Sequence, residues 1–257
     1  MADPARRATG WIVPVAVIGA WQAAVGSGLL RLESVPAPDG VARALLDVVR
    51  SGDLFDALRH TAVITVLATL IAVVVGGALG VAIGLLPRLR HGVMASVDVL
   101  RTVPAVALMP IALLALGPVP STELALAVWA AQWPMLITVA AAVRAVPDRL
   151  YDVGRMARLS RPAMLRTIIV PAVVPAGLVG ARLATIIALH VAITAEMVMA
   201  PDGLGGAMVL ALQSLNVERV FAYAIVCGVV GGLVNAALRR LVAAGLPGVR
   251  ATVRVDA

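Results

Sequence analysis

Long apolar stretches without a single charge recur along this chain, and they constrain it more than any other feature. Trp11–Leu30, Thr61–Leu86, Thr102–Thr122, Leu124–Val143 and Val220–Leu238 are all charge-free, and Thr167–Ala200 is interrupted only by Arg182 and Glu196. A helix needs about 20 apolar residues to cross the hydrocarbon of a bilayer, because each residue advances only about 1.5 Å. Charged residues make up 14% of the chain, against about 25% in soluble domains. A soluble fold of this length could not bury that much apolar surface. The expectation is an all-α integral membrane protein, a single transmembrane domain over residues 1–257. Its six spans are expected at about 11–30, 61–86, 99–118, 121–143, 171–199 and 219–240.

The arginines orient these spans. The net charge is +7 and there is no lysine. With the N-terminus inside, the inner loops and tails hold Arg6, Arg7, Arg88, Arg90, Arg144, Arg149, Arg155, Arg158, Arg161, Arg166, Arg239, Arg240, Arg250 and Arg254. The outer segments hold only Arg31, Arg43, Arg50, Arg59 and Arg219. Cytoplasmic loops carry the excess of basic residues, so both termini are expected in the cytoplasm. A basic chain can signal nucleic-acid binding, but arginines set between apolar runs fit a bilayer, and no nucleic acid is expected.

Arg6-Arg7 and the stretch after it read as a retained first span. Trp11–Leu30 is longer than a signal-peptide core, and Gly26-Ser27-Gly28 is a poor cleavage site. The outer segment 39–59 reads as amphipathic, opened by Pro36-Ala37-Pro38-Asp39. Small residues recur four apart at Gly76, Gly80 and Gly84, at Gly180, Ala184 and Ala188, and at Gly228, Gly232 and Ala236. Such stripes let helix backbones approach within one bundle or between subunits.

The longest inner loop, 144–170, reads as two short helices with a sharp turn. Val146-Pro147-Asp148 opens the first. Ser160 is an N-cap for the second, and Pro162 suits that helix's first turn. Pro171 and Pro175 lead into the fifth span.

Here the chain resembles the "EAA" coupling loop of the permease subunits of ABC-type importers. The stretch runs Asp152-Val153-Gly154-Arg155-Met156-Ala157-Arg158-Leu159-Ser160 and ends Val170-Pro171-Ala172-Val173-Val174-Pro175. Asp152 stands where the family has Glu, and Arg158 stands where it has a turn glycine. An arginine there is either strained in a left-handed turn or sits in a turn built differently. Further stretches extend the resemblance, among them Leu100-Arg101-Thr102-Val103-Pro104, Ala195-Glu196-Met197 and Gly203-Leu204-Gly205. They are most similar to permeases for sulfonates, taurine, nitrate and vitamin precursors.

The resemblance implies the type I importer permease fold and a bacterial cytoplasmic (inner) membrane location. It implies a path for a small polar or anionic solute. It implies partners too: a cytoplasmic ATPase dimer, a second permease subunit (identical or not) and an extracytoplasmic solute-binding protein. Asp152, Gly154, Arg158, Leu159, Ser160, Pro162 and Leu165 become the candidate coupling residues. ATP belongs to the partner, because a P-loop needs a lysine and this chain has none, so no cofactor and no enzymatic activity are expected in it.

Polar groups inside spans are costly and point to function. Gln132, Arg182, His190, Thr194 and Glu196 are the candidates for the translocation path. Arg182 and Glu196 lie about 21 Å apart along a straight helix and cannot pair. Glu196 suits a capping or paired role at the outer interface. His60, His91 and His190 differ in depth, so no metal site is expected from the histidines. None of the serines is central in a span, which disfavours an intramembrane serine protease. A self-sufficient secondary transporter or channel is the rival reading. Such carriers show inverted repeats, broken helices and midplane ionisable residues, and no repeat is evident.

Overall fold

The computed structural model describes residues 16, 17, 19–27, 35–199 and 202–245. These residues are helical, with short connections and no strand among them. Part of the expected first span, 11–30, lies outside the described residues; 16, 17 and 19–26 are helical.

Helix α1, Pro38–Ser51, is amphipathic, and its apolar face (Val41, Ala44, Val48) is buried. Gly52 ends it at φ +85°, a conformation glycine adopts without a Cβ clash. The same residue opens α2, Asp53–Leu85. This corrects the expected outer segment 39–59. Residues 53–59 are the first turns of the long second helix, which begins eight residues before its charge-free stretch.

Helices α3, Pro87–Leu100, and α4, Ala105–Leu116, meet at 88°. The expected third span, 99–118, is therefore not one helix. Pro104 has no N–H to give a helix and pushes Val103 away from helical backbone, so the chain breaks between Leu100 and Ala105. Helix α5, Pro120–Arg144, then runs parallel to α2. His60 meets Glu123 at one end of the pair, while Gly84 faces Val143 at the other. The chain must therefore cross the bundle between α2 and α5, and the bent α3–α4 pair makes that crossing.

Helix α6, Asp148–Met156, is followed by α7, Arg161–Met199. The expectation of a separate short helix ending before a span at 171 is also corrected, because α7 continues through both Pro171 and Pro175. A π-helical turn at Leu165–Ile169 explains how. Val170 N–H donates to Leu165 O, five residues back. The wider turn rearranges the hydrogen-bond ladder where Pro171 removes a donor. Helix α8, Gly203–Gln213, is a short apolar element the sequence reading did not place. Helix α9, Val217–Gly245, completes the described chain.

Among the described residues, four helices (α2, α5, α7 and α9) are long and apolar enough to cross a membrane, and the bent pair raises this to five. The centre is where α2, α5 and α7 meet. There Ala68, Ala72, Ala127, Ala131, Ala184 and Ala188 form a buried cluster. Lipid offers helices no hydrophobic drive to associate, so close backbone packing through small side chains does that work. A Cβ on Gly76 would stand 2.5 Å from Gln132 O, and one on Gly80 2.7 Å from Leu136 O. The first two small-residue stripes thus serve packing within this chain. The third shows no such contact among the described residues: a Cβ on Gly228 or Gly232 would meet none of them within 4 Å.

Candidate coupling loop and intramembrane polar residues

The loop between α6 and α7 is built by its backbone. Arg158 sits at φ +51°, in the left-handed region. Leu159 N–H donates to Gly154 O at 3.0 Å, and Arg158 N–H to Arg155 O at 2.9 Å. This pair of bonds is a Schellman closure, which needs a left-handed residue where Arg158 stands. The turn is therefore not remodelled to suit arginine. Arginine accepts the glycine conformation, at a strain cost of about 1–2 kcal/mol.

Ser160 Oγ then accepts from Ala163 N–H, and Pro162 lies in the first turn of α7. Gly154 is buried under α7; a Cβ there would approach the Met164 thioether to 2.5 Å and Ile168 to 2.9 Å. Leu165, Met164 and Ile168 pack on a cluster of Met135, Val139, Val143, Val146, Ile169 and Val173. The loop is thus anchored to the C-terminal end of α5 and the N-terminal part of α7. Burial, and secondarily Asp148, pushes the Tyr151 phenol above its usual range.

The outward side of this unit carries the exposed Asp152–Arg155 ion pair at 3.0 Å. It also carries Leu150, Val153 and Met156, all exposed. Val153 and Met156 were missed in the sequence reading. Their spacing of three residues on a helix was the available signal.

The five intramembrane candidates do not converge. Arg182, half-buried on α7, donates twice to Asn235 Oδ1 of α9, at 2.8 and 3.1 Å. His190 is exposed, its Nδ1 against Ile186 O, and Thr194 Oγ1 donates to His190 O. Gln132 is half-buried on α5, with its backbone oxygen against Gly76.

Glu196 is 1% exposed and caps α8: its Oε2 accepts from Gly205 N–H at 2.9 Å and from Thr61 Oγ1 at 3.0 Å. Gly203, at φ +88°, admits the carboxyl group, since a Cβ there would fall 2.3 Å from Glu196 Cδ. Glu196 therefore reaches neither Arg182 nor the exposed arc of His190.

These features define a polytopic helical membrane subunit with a loop unit anchored at one end of the bundle. Residues 68–250 match the family model described as binding-protein-dependent transport system inner membrane component, and the chain belongs to that family. Two curated proteins bear the name "Putative aliphatic sulfonates transport permease protein". The one from Bacillus subtilis (strain 168) is 28% identical over 93% of this chain and 88% of its own length. The one from Escherichia coli (strain K12) is 29% identical over 94% and 93%. A nitrate import permease protein of Synechococcus elongatus is 31% identical over 58% of this chain and 52% of its own. Among solved structures, a chain of the MetNI methionine ABC transporter in inward-facing conformations superposes with a TM-score of 0.65. It covers 76% of this chain and 97% of its own at 17% identity, and so speaks to the fold. The fold is that of a type I ABC importer permease. The chain is a permease subunit of an ATP-driven importer, in a family whose members are not themselves enzymes.

Proposed function

We propose that this subunit lines the path of a small oxyanion of the sulfonate, taurine or nitrate kind, handed over by an extracytoplasmic binding protein. The observation that carries the anion class is Arg182. It sits about 25 Å along α7 from Met199, far from either end of the helix, and its partner is the neutral Asn235 rather than a carboxylate. A cation placed at that depth without a counter-ion among the described residues is expensive and is retained for function. The names of the curated relatives (sulfonates, nitrate, bicarbonate) agree in charge. A vitamin precursor is the neutral or cationic alternative.

The α6–α7 unit docks on a cytoplasmic ATPase dimer, which binds the ATP, and a second permease subunit, identical or not, completes the path. Eight arginines between Arg88 and Arg166 gather at the loop end of the bundle, Arg101 excluded, which supports that end and both termini being cytoplasmic. ATP-driven closure of the ATPase pair would shift this bundle between inward and outward access.

The test is uptake in cells deleted for their own system and supplied with this permease, its ATPase and its binding protein. Arg182→Gln should lose most uptake of the anion while membrane insertion and ATPase association persist. Undiminished uptake in Arg182→Gln would remove Arg182 from the path and the anion class with it.

A further inference from the structure

At the end of the bundle opposite the coupling loop, three helices bring together side chains that coupling does not use. His60 lies in the first turns of α2, Glu123 in the first turn of α5 and Glu196 in the last turn of α7. One ligand atom from each, an imidazole nitrogen and two carboxylate oxygens, lies within 4.8 Å of the others. His60 Nε2 is 3.0 Å from Glu123 Oε2. Both glutamates are 1% exposed.

Two buried carboxylates this close cannot both stay charged unless positive charge joins them. Among the described residues, the basic side chain in contact with them is His60. A proton shared between the glutamates is poorly served by the geometry. Glu196 Oε2 is taken up by Thr61 and Gly205. Glu196 Oε1 is buried with no hydrogen-bond partner among the described residues, Glu123 included. It is a free acceptor on a side chain already fixed by its other oxygen. Thr61 is itself held by Leu204 N–H at 3.0 Å. Outer partners that orient a ligand in this way accompany metal sites.

We propose that His60, Glu123 and Glu196 form a divalent-cation site of the zinc class, joining α2, α5 and α7 at the end of the bundle away from the coupling loop. Imidazole nitrogen and carboxylate oxygen are both ligand types that zinc accepts, and three protein ligands leave a fourth position for water. His60 also lines a cavity of about 710 Å³, together with Asp53, Asp56, Asp202, Arg59 and Arg219. The histidines alone gave no hint of the site, because its ligands are 63 and 73 positions apart along the chain. A bound ion would clamp the three helices of the central bundle at one end and leave the coupling end free to move.

The full chain, purified with a histidine-free tag, is stripped with chelator, incubated with Zn²⁺ or Co²⁺, desalted and assayed for metal. The proposal expects about one equivalent retained per chain, lost in both His60→Gln and Glu123→Gln and kept in His91→Gln. Bound Co²⁺ should give the visible bands of a nitrogen–oxygen site, displaced by Zn²⁺. No retained metal in the unaltered chain, or equal retention in the two ligand variants, overturns it in favour of carboxyls neutralised by protons. Should the variants fail to fold, the unaltered chain decides alone: no Co²⁺ bands refutes the site.

Discussion

Helices α2 and α5 meet closely at Gly76 and Gly80, while Gly228 and Gly232 on α9 face none of the described residues. Replacing glycine with alanine tests it with a built-in control. At Gly76 and Gly80 a new Cβ would lie 2.5 and 2.7 Å from backbone oxygens of α5, where ordinary contact begins at 3.4 Å. Backbone cannot rotate aside, so the helices must separate by up to about 0.9 Å, an overpacking cost of about 1–3 kcal/mol per site. Alanine also favours the helix over glycine by about 1 kcal/mol. That term is shared with Gly228→Ala and Gly232→Ala, where nothing lies within 4 Å, and it cancels in the comparison. The account therefore expects the α2 variants to be less stable than the α9 variants by about 1–3 kcal/mol. Thermal unfolding of the purified subunit in detergent reads this directly. Gly76→Ala as stable as Gly228→Ala would refute the packing. So would α9 variants as damaging as α2 variants in the isolated chain.

Three further outcomes follow from the loop and the orientation. Val153→Arg or Met156→Arg, placed on exposed positions, should abolish co-purification of the ATPase while leaving the subunit's melting temperature within about 1 °C, since surface changes cost little; a large drop in melting temperature would show these residues to be core. Arg158→Gly trades relief of left-handed strain against the greater freedom of the unfolded glycine chain, so stability should change by less than about 1 kcal/mol. Uptake without a sister permease, unchanged by glycine, would exclude any need for a glycine-bearing second subunit. Cysteines introduced at positions 40–55 should label from outside intact cells and those at 150–165 should not; the reverse pattern would overturn the orientation.

Hydropathy marked the long helices because lipid demands an uninterrupted apolar run, and α5 began and ended within a residue of the expected 121–143. It missed the start of α2, since Asp53, Asp56 and Arg59 are tolerated in helical turns that project beyond the apolar layer. It missed the break in the third span, since Thr102-Val103-Pro104 is apolar enough to pass while Pro104 forbids the helix. Pro171 misled in the other direction: a preceding π-turn lets α7 absorb it. The two-helix loop was legible because its residues are contiguous; register with the family motif marked Arg158 as the turn position but left its backbone conformation open, and it is left-handed. Glu196 was read as capping or paired, and it caps α8. Its partners, Thr61 and Gly205, and its neighbours His60 and Glu123 come from three other helices, and no local pattern in the chain announces them.

The central claim is that this chain conducts an anion only when driven by a separate ATPase. It is tested most directly by reconstituting the permease with that ATPase in proteoliposomes, supplying the loaded binding protein on the outer face and ATP on the other, and following radiolabelled taurine, sulfonate or nitrate. The account predicts uptake of one of these anions that requires ATP, the ATPase and the binding protein together and is lost with Arg182→Gln. Uptake by the permease alone under an ion gradient, indifferent to ATP, would contradict it.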